Sequence, residues 1–166
     1  KVNKAWLQKR CGFARNEKTP LLGIVSRLAE QKGFDLIVEA LSELCQLDLN
    51  LVILGVGDTV YEEKLSDSAA RFNNKVSVHL NFDEELAHRI YGGSDIFLMP
   101  SRYEPCGLGQ IISLRYGAVP VVFRTGGLAD TVNSANGFLF HDYSAPGFVQ
   151  SVKSAVGAFA KHSVWD

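Results

Sequence analysis

The stretch LLGIVSRLAEQKGFDLIVEALSELCQLDLNLVILG (residues 21–55) decides the fold of this chain. It opens with a short apolar run at residues 21–26, in which isoleucine and valine favour a strand. Across residues 34–46 the apolar side chains recur at spacings of three and four, the pattern of an amphipathic helix. A second apolar run follows at residues 49–55. The stretch therefore predicts a strand, a helix and a second strand, the unit from which parallel sheets are built.

The same alternation continues along the rest of the chain. Further strands are predicted at residues 75–80, 95–99, 119–123 and 137–140, and further helices at residues 4–11, 61–72, 83–91, 108–116 and around 148–159. The helix over residues 83–91 is expected to end at a C-cap formed by Gly92 and Gly93. The strands read as nearly continuous apolar runs, as strands buried on both faces do. The sequence thus predicts an α/β fold with a doubly wound, Rossmann-like parallel sheet, in one domain over residues 1–166.

Composition excludes several classes of protein. The chain has 166 residues, is 46% hydrophobic and carries a formal net charge of −1, so it has no general field that would attract nucleic acid or a membrane surface. No apolar run approaches the roughly 18 residues of a membrane span. The start, Lys1 to Lys4, does not resemble a signal peptide, and because Met is absent there we expect a fragment or a processed form.

Cysteine and histidine spacing predicts neither a metal site nor a disulfide framework. Cys11, Cys45 and Cys106 are odd in number and far apart, without a C-x-x-C pair, which fits a reducing compartment. The four histidines show no metal-ligand spacing; they are His79, His88, His141 and His162. No metal and no cofactor is predicted.

Ligands of such sheets bind beyond the carboxyl ends of the strands, which directs attention to the strand-to-helix loops. In the first loop Arg27 follows a strand and Lys32 is expected at the start of the next helix. A cation at a helix N-terminus opposes the helix dipole, so two cations at this edge are explained if a di-anion neutralises both. The alternative is two solvated surface cations, and this loop alone does not separate the two interpretations.

The loop over residues 101–109 is more informative. It follows a buried strand and opens a helix with Gly107 and Gly109, where missing side chains would let an anion reach free backbone amides. Glu104 could accept hydrogen bonds from sugar hydroxyls, or could simply be a carboxylate that favours the helix dipole. Cys106 has no histidine near it in sequence, so a structural or substrate-lining role is favoured over a nucleophilic one.

Three further features have both a structural and a ligand-binding interpretation. The sequence GVGD at residues 55–58 is an incomplete dinucleotide fingerprint and is interpreted as a tight turn. The glycine-rich loop at residues 124–130, with Thr125 and Gly126, allows either positive φ or close approach of a ligand or a second domain. Phe82 could stack on a base or belong to the core.

Five motifs together resemble one family, the glycogen and starch synthases, which are retaining glycosyltransferases of the two-domain GT-B fold. They are GIVSRLAEQKGFDL (23–36), LGVGD (54–58), HRIYGGSD (88–95), PSRYEPCGL (100–108) and RYGAVPVVFRTGGLADTV (115–132). The resemblance covers nearly the whole chain, in the family's order and spacing. It departs at Gly109, where the family often has Thr or Asn, at Ile112, where related transferases carry a second glutamate, and at the short segment 133–136.

The resemblance implies a function for several of these residues. It implies that Arg27 and Lys32 hold the donor diphosphate, that Glu104 contacts the donor glucose, and that Phe82 stacks on the base. The amides of residues 107–108 would meet glucose and phosphate. The predicted catalytic residues are Arg27, Lys32 and Glu104, and the predicted donor-binding residues are Phe82, Cys106, Gly107, Leu108, Gly109, Thr125 and Gly126.

The implied reaction transfers glucose from ADP-glucose or UDP-glucose to the non-reducing end of an α-1,4-glucan with retention, without a metal. The chain would be the C-terminal, donor-binding domain, inactive alone, with the acceptor bound by an N-terminal domain that this sequence lacks. The bacterial cytosol and the plastid stroma are both expected locations. Two alternatives stay open: a non-catalytic nucleotide-binding or regulatory module of the same fold, and half of a nicotinamide-dependent dehydrogenase, which the incomplete fingerprint disfavours.

Overall fold

In a computed structural model, which describes residues 2–161, six parallel strands form one sheet in the order β3-β2-β1-β4-β5-β6. The strands are β1 Leu21–Val25, β2 Asn50–Leu54, β3 Val76–His79, β4 Ile96–Met99, β5 Val119–Phe123 and β6 Phe138–Phe140. The helices are α1 Val2–Arg10, α2 Phe34–Leu44, α3 Thr59–Arg71, α4 Glu84–Gly93, α5 Gly109–Tyr116, α6 Gly126–Thr131 and α7 Ala145–Phe159, and a 3₁₀ turn at Glu30–Lys32 precedes α2. The predicted doubly wound parallel sheet is confirmed.

Helices cover both faces of the sheet because successive side chains of a strand point to opposite faces. In β2, Leu51 and Ile53 join a core cluster formed with α2, α3 and α7, while Val52 and Leu54 join a second cluster formed with α1 and α4. Each of these four side chains is at most 3% exposed. Burying one such side chain contributes roughly 1.5–3 kcal/mol, so the apolar strands specify a three-layer structure.

The predicted C-cap at Gly92 and Gly93 is wrong. Both glycines belong to the last turn of α4, neither has positive φ, and the C-cap is Ser94, which follows the helix in an extended conformation. A Cβ atom on Gly92 would lie 3.0 Å from the Asn3 side chain, and one on Gly93 would lie 3.1 Å from the Asn3 carbonyl oxygen. The glycines therefore let α1 approach α4 closely. A glycine pair in a sequence usually indicates the end of a helix, but here it is required by the packing of two helices.

The segment predicted as a glycine-rich loop at residues 124–130 also differs, because from Gly126 onward it belongs to α6, Gly126–Thr131. Six residues are too few for a helical period to be read from the sequence.

Helix α7 begins at Ala145, before the first residue of its apolar face, because Ser144 caps it. The Ser144 hydroxyl accepts a hydrogen bond from the Gly147 amide at 3.2 Å.

Removal of this cap gives a testable change in stability. We expect Ser144→Ala to lower the free energy of unfolding by about 1 kcal/mol, because the first turn of α7 loses a side-chain acceptor. The matched control is Ser154→Ala, which lies on the exposed face of the same helix and bonds only to the Gln150 carbonyl oxygen. That variant should stay within about 0.5 kcal/mol of the parent protein. Urea denaturation measures both, and equal values would contradict the capping role.

Candidate functional site

The strand order reverses between β1 and β4, and the loops that follow these two strands part to open a crevice at the carboxyl edge of the sheet. The crevice has a volume of about 260 Å³. Six of the predicted site residues line it: Arg27, Lys32, Glu104, Gly107, Leu108 and Gly109. Residues from two distant segments of the chain therefore meet at the point where this class of sheet binds ligands.

Lys32 and Glu104 form an ion pair at the centre of this site. The Lys32 Nζ atom lies 2.6 Å from Glu104 Oε2, and the Ser101 hydroxyl donates to the same oxygen at 3.4 Å. The Glu104 side chain is only 10% exposed, whereas the Lys32 side chain is 26% exposed and borders the crevice. A bound anion could therefore reach the ammonium group, while the carboxylate is held in one position.

Lys32 does not lie at the start of α2, as the sequence predicted, but in the separate 3₁₀ turn before it. The chain then passes through Gly33 in the left-handed region, at φ +82°. A Cβ atom at this position would lie 2.2 Å from the Pro100 carbonyl oxygen, so only glycine lets the turn approach the end of β4 this closely. This approach brings Lys32 to Glu104.

The turn before α5 presents free backbone donors to the crevice. Gly107 has φ +69°, and among residues 2–161 no group accepts a hydrogen bond from the backbone amides of Gly107 or Leu108. Together with the N-terminus of α5, these amides form a local positive end that suits an anion.

Gln110 binds the backbone of this turn. The sequence did not predict that role. It is completely buried, and its Nε2 atom lies 3.1 Å from the carbonyl oxygens of Cys106 and Gly107. Two carbonyl groups of the turn are thus bonded to one buried side chain, which fixes the backbone of the turn. A glutamine two residues into a helix usually faces solvent, so the sequence carried no signal for this role.

Arg27 connects the crevice to a second, wider cavity of about 790 Å³ beyond the ends of β1 and β2. Apolar side chains line much of that cavity, and Phe82 stands at its rim with 90% of its surface exposed. Phe82 is therefore not a core residue, and its ring is free to stack on a flat ligand. Gly55 and Gly57 of the incomplete fingerprint also line this cavity.

Cys106, Thr125 and Gly126 border neither cavity, and their donor-binding role stays a prediction. Cys106 is exposed, and Gly126 lies against the backbone of the loop that carries Glu104. A Cβ atom on Gly126 would lie 2.2 Å from the Glu104 carbonyl oxygen, to which the Gly127 amide donates at 2.9 Å. The structure thus gives Gly126 a packing role behind the site.

Within residues 2–161 no three His, Cys, Asp or Glu side chains are close enough to hold a metal ion. His162 lies outside the described residues. None of the helices in that same range has the length and apolar character needed to cross a bilayer.

Comparison with known proteins decides the family. Residues 8–157 match the sequence profile of the family described as glycosyl transferases group 1. The chain belongs to this family. It is 48% identical over 166 residues to the glycogen synthase of Desulfitobacterium hafniense and 51% identical over 171 residues to that of Geotalea daltonii, and these matches cover 96% and 99% of this chain. The resemblance found in the motifs is therefore confirmed.

A solved relative has the same fold. The catalytic domain of starch synthase IV from Arabidopsis thaliana, bound to ADP and acarbose, superposes with a TM-score of 0.90 at 33% identity, over 99% of this chain and 36% of that one. This chain spans 36% of the D. hafniense enzyme and 35% of the G. daltonii enzyme. The group 1 domain described here thus corresponds to about a third of the curated relatives it matches.

Proposed function

We propose that this chain is the donor-binding domain of a glucan synthase. The reaction is the transfer of glucose from ADP-glucose, or UDP-glucose, to the non-reducing end of an α-1,4-glucan with retention. The observation that carries the proposal is the meeting of Arg27, Lys32 and the free amides of residues 107–108 around one crevice, in a chain whose relatives are glycogen synthases.

The diphosphate of the donor fits the charge of the crevice. Arg27 can bind phosphate oxygens with its planar guanidinium group, and Lys32 adds a second positive charge to the same crevice. When the bond between glucose and the nucleoside diphosphate breaks, negative charge grows on the departing phosphate. Cations and backbone amides that are already in place stabilise that charge without reorganising, so no metal is required.

The glucose and the base of the donor lie at opposite ends of its diphosphate, and each end has suitable groups in the structure. Glu104, held by Lys32 and Ser101, can accept hydrogen bonds from the glucose hydroxyl groups. Phe82 and the wider cavity suit the base. We favour adenine over uracil because the starch synthase that resembles this chain at 33% identity was solved with ADP.

The acceptor and the location are part of the same proposal. Most of each glycogen synthase relative lies outside the segment that matches this chain, and we assign acceptor binding to that part. The free thiols of Cys11, Cys45 and Cys106 fit a reducing compartment, such as the bacterial cytosol or the plastid stroma.

Calorimetric titration of this chain with ADP, AMP and NADH tests the donor assignment. We expect ADP to bind about 10-fold to 100-fold more tightly than AMP, because the second phosphate adds charge-assisted hydrogen bonds worth roughly 1.5–3 kcal/mol. The chain alone should not lengthen a maltooligosaccharide. Equal affinities for ADP and AMP, or tighter binding of NADH than of ADP, would contradict the proposal.

A further inference from the structure

The 3₁₀ turn and the loop that carries Glu104 are paired residue by residue. Glu30 Oε1 lies 3.2 Å from Arg102 Nη2, and the Gln31 carbonyl oxygen accepts a hydrogen bond from the Arg102 amide at 3.0 Å. The Gln31 side chain donates to the Tyr103 carbonyl oxygen at 3.4 Å, and Lys32 meets Glu104. The ion pair at the site is thus the last member of a row of contacts between two segments that are 72 positions apart.

Arg102 extends this row beyond the turn. Its Nη2 atom also lies 3.0 Å from Asp35 Oδ2 in the first turn of α2, and its guanidinium carbon lies 4.6 Å from the centroid of the Tyr143 ring. The Tyr143 hydroxyl donates to the other Asp35 oxygen at 2.8 Å. Burial raises the pKa of Tyr143 well above its ordinary value, and the bond to Asp35 raises it further, so this hydroxyl stays a donor at neutral pH.

Arg102 itself borders neither cavity, and its side chain is 53% exposed. Exposed ion pairs add little to folding stability, at most about 1 kcal/mol. Arg102 instead connects three segments: the turn that carries Lys32, the loop that carries Glu104 and the start of α2. A flexible lysine side chain is effective as a phosphate ligand only when its backbone is held at the correct distance, because ordering it afterwards costs conformational entropy.

We propose that Arg102 is a positioning residue, which holds the Lys32 turn against the Glu104 loop through Glu30 and Asp35 and so sets the place of the Lys32 ammonium group in the crevice. The inference rests on the proposed function, since Lys32 is the group through which Arg102 would act. Phe82 lines the wide cavity, Arg27 lines both cavities and Lys32 lines the crevice. With the base of a nucleotide at Phe82, we therefore expect its second phosphate to lie nearest Lys32. An effect of Arg102 should therefore fall on ADP and spare AMP.

The test is a double-mutant cycle read by calorimetry with ADP and AMP. We expect Arg102→Ala to weaken ADP binding about 5-fold to 10-fold and to leave AMP binding within about 2-fold. Arg102→Lys should keep most of the affinity, since an ammonium group can still bridge Glu30 and Asp35. In a Lys32→Ala background, Arg102→Ala should have no further effect. The matched control is Arg89→Ala, a half-buried arginine that contacts Glu85, Trp6 and Asn3 and does not line the crevice.

Two outcomes overturn the positioning role while leaving the donor site intact: equal losses for ADP and AMP, or a full effect of Arg102→Ala in the Lys32→Ala background. Failure of the parent chain to bind ADP would instead overturn the proposed function. Hydrogen exchange without nucleotide separates the two cases. The backbone amide at position 102, which donates to Gln31, should exchange about tenfold faster in R102A than in R102K. Equal rates would overturn the positioning role on their own.

Discussion

Replacement of Lys32 by alanine is expected to weaken ADP binding by about 30-fold, or ~2 kcal/mol. The ammonium group borders the crevice beside the free amides of the turn at Gly107, and Arg27 is the other cation that lines the same crevice. Its loss removes a charge-assisted hydrogen bond to phosphate and leaves the carboxylate of Glu104 without its partner, facing an anion. Calorimetric titration of ADP into both proteins measures the difference. The loss should shrink as salt concentration rises, because part of it is electrostatic.

The chain offers a matched control in Lys153, whose Nζ atom lies 2.6 Å from Glu43 Oε1 on the helices α7 and α2. This ion pair has the same length as the pair between Lys32 and Glu104 but borders neither cavity. Lys153→Ala should leave ADP affinity unchanged. If both lysine variants bind ADP as the parent protein does, the assignment of Lys32 to phosphate is wrong.

Glu104→Gln is expected to act in the opposite direction and to tighten ADP binding by about tenfold, or ~1.4 kcal/mol. In the described structure the Glu104 carboxylate holds Lys32, so an incoming diphosphate must compete with it for the same ammonium group. The neutral amide removes that competition and the repulsion between carboxylate and phosphate. The same variant loses the charged acceptor proposed for glucose hydroxyl groups, so ADP-glucose should gain less affinity than ADP. Titration of both ligands gives the two values.

The control for this variant is Glu43→Gln, which neutralises the partner of Lys153 and should change neither affinity. The signs of the two changes in ADP affinity show whether Glu104 competes with the ligand for Lys32. Lys32→Ala and Glu104→Gln should shift ADP affinity in opposite directions, whereas a merely structural ion pair would give losses of similar size from either side. Weaker ADP binding in Glu104→Gln would therefore mean that the pair supports the fold of the loop rather than competing with the ligand.

The extent to which the site could be predicted differs from residue to residue. Arg27 and Glu104 each follow a strand with a strong apolar signal, and the carboxyl ends of parallel strands share one edge, so local patterns place both residues at that edge. That they meet there depends on the strand order, which puts β1 beside β4. Phe82 was undecided in the sequence, because an aromatic residue after a strand occurs both in cores and in binding sites. Its 90% exposure beside the wide cavity comes from the sheet edge on which it lies.

Gln110, Gly92 and Gly93 mark the limit of local patterns. A buried glutamine and a glycine pair inside a helix both contradict the preference of those residues, and each is explained only by the groups packed against it in the folded chain. Gln110 braces the carbonyl groups of the turn at Gly107, and the glycine pair makes room for α1. Such departures occur where packing between elements outweighs the propensity of one residue.

By itself the sequence determined the alternation of strands and helices, the burial of the sheet on both faces and the glycosyltransferase motifs, because periodicity and loop composition are properties of neighbouring residues. Only the tertiary structure decided the strand order, the 2.6 Å ion pair between Lys32 and Glu104, and the row of contacts through Arg102. Lys32 and Glu104 are 72 positions apart in the sequence, and Asp35 and Arg102 are 67 positions apart. No local pattern encodes them, since they arise when the packing of the apolar strands brings β1 beside β4.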